Sequence, residues 1–477
     1  MKLSTLITRL SSLATAAFAA ATASADPTVG QVLVHQLWPW SQNVKVEYTL
    51  SGTGGGAYDI AVSCYEDGTE IAASKVRSAL CGGEGFHGVK GDGIHSFTLD
   101  PAQLVAEGAT ALGNFTVSIT VSGPGDPLAS RLEYRVFDLE TGEVTDLTRG
   151  NIYDRPDLYG DTVYTNYADV YTGFTKPADL PAEDVFIVPG FNTDEFKTTK
   201  LVMKRIPAAE KEFWMGPSDG DPNTLAAGSW SEPRLGESRF KAVLSQDYFM
   251  SVFELTQRQY ELVVGDNPSF FTNRQYYATR PLEFTSRDTF TAAESGFLAK
   301  ATAMFGKTFN LPTEAQWEFA AKAMYDGPGY PSGLEITQAN LGVMEGVTAK
   351  RGHSGYPDAG RNDATNVGGT WDVGRGQPNP YGLYNMFGNV SERMLDASHK
   401  DLATKYGWTD GSPAVRDPYN TQYQLASGHV VYKGGNYASN VDGNQRRSAW
   451  RGSSSKTARV LSITHPLWGF RVICPVD

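Results

Sequence analysis

Between residues 28 and 122 the chain alternates apolar and polar side chains in short runs. These are VLVHQLW (Val32 to Trp38), VKVEYTL (Val44 to Leu50), AYDIAVSCY (Ala57 to Tyr65) and NFTVSITVS (Asn114 to Ser122). A period of two puts alternate residues on one face of a strand, and the Gly- and Asp-rich breaks between the runs are turns. Several short strands at this spacing predict a small immunoglobulin-like β-sandwich over residues 26–125. No constellation in this stretch carries a recognisable chemistry, so a spacing or contact role is expected for it by analogy with other sandwich domains. Residues 126–195 read as an irregular but ordered connector, rich in Tyr, Asp and Pro. Within them LEYRVFDLETGEVTDL predicts a hairpin turning at Thr141-Gly142.

The pattern changes from residue 196 onward. KLVMKRIPAAEKEFWMG (Lys200 to Gly216) predicts two short strands. ELTQRQYELVVG predicts a helix that Thr256 caps, Gln259 completes as a capping box and Gly265 closes. LPTEAQWEFAAKAMYDG repeats that grammar: Thr313 caps, Gln316 holds the box position, Trp317, Ala320, Ala321 and Met324 share a face, and Gly327 terminates. FTAAESGFLAKATAMFG predicts a third helix with Thr291 and Glu294 as its box. Beyond Gly327 the chain is glycine-rich and irregular. The class expected from these elements is α+β, and something other than regular secondary structure must hold the long loops.

Composition narrows the partners. The formal charge of −12 argues against a phosphate backbone, and no Lys/Arg stripe overrides it, so no nucleic-acid partner is expected. At the N-terminus Lys2 and Arg9 precede an apolar stretch from Leu10 to Ala20, and Ala23-Ser24-Ala25 offers an A-x-A cleavage site. Residues 1–25 therefore read as a signal peptide cleaved after Ala25, giving an exported protein of the periplasm or the medium. No later stretch reaches the roughly 20 apolar residues of a membrane helix. Export permits disulfides, and a Cys64–Cys81 bridge is expected, leaving Cys474 as a buried residue of a final strand.

Six blocks then occur in order: IPAAEKEFWMG (Ile206 to Gly216), FMSVFELTQRQYELVVGDNPSFF (Phe249 to Phe271), FNLPTEAQWEFAAKA (Phe309 to Ala323), NPYGLYNMFGNVSE (Asn379 to Glu392), YKGGNY (Tyr432 to Tyr437) and WGFRV (Trp468 to Val472). Their order and spacing resemble the formylglycine-generating enzyme, or sulfatase-modifying factor, family. The resemblance covers residues 196–477 and implies one compact C-type-lectin-like domain low in regular structure. Active members of the family oxidise a sulfatase cysteine to formylglycine with oxygen. They do so through two cysteines that follow the Gly-Gly turn and bind copper(I).

Here the segment after Gly434-Gly435 places Ser439 and Asn444 at the two thiol positions and Asn436 where a serine often stands. A serine hydroxyl does not ionise near neutral pH, and neither it nor an amide is a soft ligand for copper(I). Copper is therefore not expected. The favoured expectation is a recognition module for a peptide, protein or glycan. The alternative is an active oxidase with a sulfatase as partner.

The family also carries calcium. The resemblance implies ligands at Asn385, Gly388, Val390 and Glu392, partly through backbone carbonyls, which suits a hard oxygen-seeking ion. A second site is implied to begin at Asn340 and Leu341, with no clean second half before Thr370. Arg446, Arg447 and Arg451 cluster with Trp450. They read equally as a cationic groove or as bridges between loops. His465 reads as a loop histidine with a second reading as a cleft wall, and Asp396 with Glu392 makes a weak acid pair. HExxH, G-x-S-x-G, P-loop and dinucleotide-binding motifs are absent from the sequence.

Overall fold

The structure is a computed structural model. It describes residues 26–37, 41–105, 112–125, 128–153, 163–164, 186–187, 189–217, 237–272, 276–324, 369–375, 378–422, 430–437, 452–453 and 464–476. The chain divides into two compact units, Met1–Pro127 and Leu128–Asp477.

The first unit holds β1 (Thr28–Gln36), β2 (Val44–Ser51), β3 (Ala57–Glu66), β4 (Thr69–Glu70), β5 (Leu80–Gly83), β6 (Val89–Lys90), β7 (Gly93–Leu99) and β8 (Phe115–Pro124). One sheet runs in the order β1-β2-β7-β5, and a second joins β4, β3 and β6, with β8 also pairing β3. In β2 the alternation is literal: Val44, Val46, Tyr48 and Leu50 are buried and the residues between them are not. They meet Ile60 and Cys64 of β3 and Ile119 of β8 in one core shared by the two sheets. Cys64 and Cys81 are both free. The bridge expected between them is not formed, because the two lie in different sheets. Cys64 points into the core, where burial pushes its thiol up to about 12. Cys81 is exposed on β5, with Asn43 and the Thr98 carbonyl as its neighbours.

In the second unit the hairpin of β9 (Leu132–Asp138) and β10 (Val144–Thr148) turns through Gly142 at φ +79. This hairpin is no part of a connector. β9 pairs antiparallel with β13 (Lys200–Ile206), which lies four strands further along the chain, after the short pair β11 (Val163–Tyr164) and β12 (Phe186–Ile187). The full sheet runs β10-β9-β13-β16-β22, with β16 at Tyr248–Ser251 and β22 at Ile473–Pro475. The physical reason is apolar: Tyr134, Val136 and Phe137 must be covered, and the sheet buries both faces. Leu201, Met203 and Phe249 pack under the helices Gln257–Val264 and Phe297–Phe305, while Val202 packs with Tyr134 and Val136 on the other side.

Two helices begin as their sequences predict. Thr256 with Gln259 and Thr313 with Gln316 form complete capping boxes. The third does not. Thr291 ends a short helix, Arg287–Thr291, that Ser286 caps, and the next helix starts after Gly296. The chain turns between them so that Phe290 and Phe297 stack, with ring centroids 5.2 Å apart. The helix Glu314–Lys322 ends at Ala323, in the left-handed region, before Gly327 is reached. β14 (Glu212–Met215) pairs with β15 (Phe240–Val243). A last sheet runs β20 (Gly452–Ser453), β19 (Val430–Lys433), β17 (Ser391–Ala397), β21 (Trp468–Gly469).

The hairpin is fastened to β13 by charge as well as by pairing. Buried Glu133 accepts from Arg131 Nε at 2.7 Å and Arg149 NH2 at 3.1 Å, and pairs with Lys204. Burial alone would raise this carboxyl. Lys204, Arg131 and Arg149 outweigh it and hold Glu133 down to about 2. Its contribution to stability is therefore present above the ordinary carboxylate range and lost as pH falls toward that value. Glu133→Ala strands Lys204 and Arg149 in the interior. It should destabilise the second unit by about 3–5 kcal/mol in urea unfolding at neutral pH; a loss below about 1 kcal/mol would show that the cluster does not hold the hairpin.

Candidate functional site

Asn385, Gly388 and Val390 lie in one coil that leads into β17, where Glu392 stands. Asn385, Gly388 and Asn389 all have positive φ (+56, +99 and +50), so the chain coils tightly before entering the strand. The Gly434 turn closes over this coil. Gly388 N–H donates to the Gly434 carbonyl at 2.8 Å, and Tyr437 N–H to the Asn389 carbonyl at 2.8 Å. A side chain at position 434 would begin 2.8 Å from the Met386 carbonyl oxygen, so this close approach requires glycine.

Glu392 enters the interior beside that coil. Its carboxylate accepts from Arg471 Nε at 2.9 and 3.1 Å and from the Trp317 indole at 2.6 Å. Arg471 also donates to the carbonyls of Ser251, Val252 and Tyr384. Glu254 lies on the other side. It accepts from Asn389 Nδ2 at 2.6 Å and Val390 N–H at 3.1 Å. Burial, and then the charge of Glu392, push the Glu254 carboxyl well above its ordinary range. Sequence reasoning passed over Glu254, yet a signal was there. A single carboxyl in the run SVFEL has no solvated face to occupy.

These contacts bear on calcium. Asn385 Oδ1 accepts the Gly374 N–H at 2.7 Å, and Glu392, the one carboxylate of the implied set, is taken by Arg471 and Trp317. The side chains, as arranged, do not fit a calcium ion. Among the described residues no group of three or more His, Cys, Asp and Glu side chains could hold a metal. Asn340 and Leu341 lie outside the described residues, as do Ser439, Asn444, Arg446, Arg447, Trp450 and Arg451. Asp396 does not pair with Glu392. It accepts the Glu314 N–H at 2.8 Å and the Asn420 N–H at 2.9 Å, and so ties a helix start to a loop.

Near the Gly-Gly turn, beside the buried Lys433–Glu318 ion pair, lie several uncharged polar groups. Asn436 is buried and donates to the Ser391 hydroxyl at 3.0 Å. The His465 ring lies 5.0 Å from that of Trp468, which also neighbours Tyr432 and carries the Arg393 guanidinium over its face. Burial, reinforced by Arg393, lowers His465 to about 4, so it is an uncharged hydrogen-bonding ring at neutral pH. Glu283 accepts the Phe270 and Phe271 N–H groups at 3.1 and 3.0 Å. Burial still raises it to about 8, against those bonds and Arg280. The ring of Tyr437 meets Phe271 edge-on, and among the described residues its buried hydroxyl has no hydrogen-bond partner. Such a wall offers hydrogen bonds and aromatic faces. It offers no thiol: Cys474 is buried in β22 opposite Phe249, as a residue of the final strand.

A family profile described as the sulfatase-modifying factor enzyme 1-like domain matches residues 225–475. A formylglycine-generating enzyme of Thermomonospora curvata is 37% identical over 134 residues, 27% of this chain and 38% of that protein. A protein of Chlamydia pneumoniae named serine/threonine-protein kinase pkn1 is 31% identical over 134 residues, 28% of this chain and 16% of that protein. The chain thus spans well under half the length of these relatives. The solved structure of Treponema denticola variable protein 1 aligns at a TM-score of 0.41 and 21% identity, over 58% of this chain and 96% of that one.

The Glu283 proton gives a test. A carboxyl raised in the folded state stabilises that state below its unfolded value of 4.5, and the benefit is lost as pH rises through about 8. Melting temperature should therefore fall between those two pH values, and Glu283→Gln should flatten the fall. An unchanged slope in the variant would mean that Glu283 is ionised in the folded protein.

Proposed function

Because this chain belongs to the sulfatase-modifying factor enzyme 1-like domain family, we propose that it is an exported recognition module that keeps the family scaffold without its copper-dependent cysteine oxidation. One observation carries the reading. The Gly434-Gly435 turn and its contacts to the Asn385–Asn389 coil are intact, yet Ser439 and Asn444 stand at the thiol positions that follow. Copper(I) binding needs soft thiolates, and exchange with a substrate cysteine needs a thiol that ionises. Of the three cysteines, Cys474 is buried in a strand and Cys64 and Cys81 belong to the first unit.

The neutral wall of Asn436, Tyr437, His465 and Trp468 supports a peptide, protein or glycan ligand bound through hydrogen bonds and aromatic contact. Residues 1–25 support export. Relatives matched over similar lengths are named as a formylglycine-generating enzyme in one case and a serine/threonine-protein kinase in another, so membership of the family does not by itself carry one activity.

A peptide containing Cys-x-Pro-x-Arg, incubated with the protein and copper(I), should show no aldehyde by mass spectrometry above a control lacking protein. Formylglycine in excess of that control would establish the other reading, an oxidase whose partner is a sulfatase. The double variant Ser439→Cys, Asn444→Cys should bind copper(I) where the parent protein does not.

A further inference from the structure

The family resemblance implies a bound cation at the Asn385–Glu392 coil, and the structure gives Glu392, the one carboxylate of that implied set, to an arginine. Arg471 is fully buried. Its Nε meets Glu392 at 2.9 and 3.1 Å, NH1 donates to the Ser251 and Val252 carbonyls at 2.7 and 3.0 Å, and NH2 donates to the Tyr384 carbonyl at 2.6 Å. One guanidinium thus gathers one carboxylate and three backbone carbonyls from three separate segments. That ligand set, hard oxygens of mixed side-chain and backbone origin, is what a calcium ion selects. The fork of a guanidinium satisfies it with directed hydrogen bonds.

The Glu254 carboxylate and the Asn385 side-chain oxygen are also engaged. Glu254 accepts from Asn389 and Val390, and Asn385 Oδ1 accepts from Gly374. Trp317 holds the second oxygen of Glu392 at 2.6 Å. A calcium ion drawing on Glu392 would have to displace Arg471. A buried guanidinium would then lack its counter-charge, an arrangement heavily penalised in a protein interior.

We propose that Arg471 is the structural cation of the second unit, and that it holds the Asn385–Glu392 coil in place of a calcium ion. The inference concerns stability and stands apart from the recognition reading above.

The test uses the full chain, melted in millimolar EDTA and in millimolar calcium chloride, with calcium titration calorimetry alongside. The two melting temperatures should agree within about 1 °C, and the titration should show no heat that Asn385→Gly removes. That substitution keeps the positive φ and deletes only the side chain. Arg471→Lys should lower the melting temperature equally in both buffers, because one ammonium cannot reach four acceptors, and calcium should not restore it. A melting temperature several degrees lower in EDTA, with the difference abolished in Asn385→Gly, would overturn the proposal. A difference that survives intact in Asn385→Gly places the ion elsewhere and leaves the proposal standing. The comparison of the unsubstituted protein in the two buffers is decisive even if Arg471→Lys fails to fold.

Discussion

The bond between Arg471 and Glu392 organises the second unit. This unit has short strands, few helices and long loops, so most of its backbone polar groups cannot be satisfied by ladders. Buried side chains take up that task. Arg471 serves the β16 end and the Tyr384 loop, while Glu392 fixes Trp317 of the helix Glu314–Lys322. The same helix is held from below by Glu318, which takes Lys433 and Lys322 as partners. Asn379 donates to the Ala320 carbonyl near the helix end. Each of these groups is costly if left alone, and together they form a network that cannot be loosened at one point without stranding another.

That network places the candidate site. β17 starts at the arginine–carboxylate bond and carries Ser391 to Asn436, and the Gly434 turn is pressed against the coil before it. The Gly434 turn is therefore rigidly positioned whatever follows it. Beside it Lys433 pairs with Glu318 and the Arg393 guanidinium lies over the Trp468 ring, while at neutral pH His465 has lost its proton and Glu283 keeps one. Groups in that state recognise by hydrogen bond and ring contact, and they give no soft ligand for a metal.

Much of the local structure was legible in the chain. The alternation in β2 and β3 and the capping boxes at Thr256 and Thr313 involve partners within a few residues, and short-range sterics and hydrogen bonds decide them. The helix predicted from Thr291 failed because Phe290 and Phe297 stack in the core, a demand no local pattern records. The connector reading failed for the same kind of reason. Leu132–Asp138 looks like a solitary hairpin strand until Lys200–Ile206 arrives to pair with it.

The sequence by itself determined the family, the family's six blocks in order and the α+β class, since these are matters of residue identity and spacing. Only the tertiary structure decided what the polar residues do. Glu392 reads along the chain as a metal ligand, and its partner in space is a guanidinium 79 residues away whose other bonds reach back 220 residues. Glu254 and Glu283 carry no reading along the chain, and the fold buries both and raises their carboxyls. Charge, protonation and metal affinity depend on what surrounds a group in three dimensions, and separations of that length leave no periodicity behind.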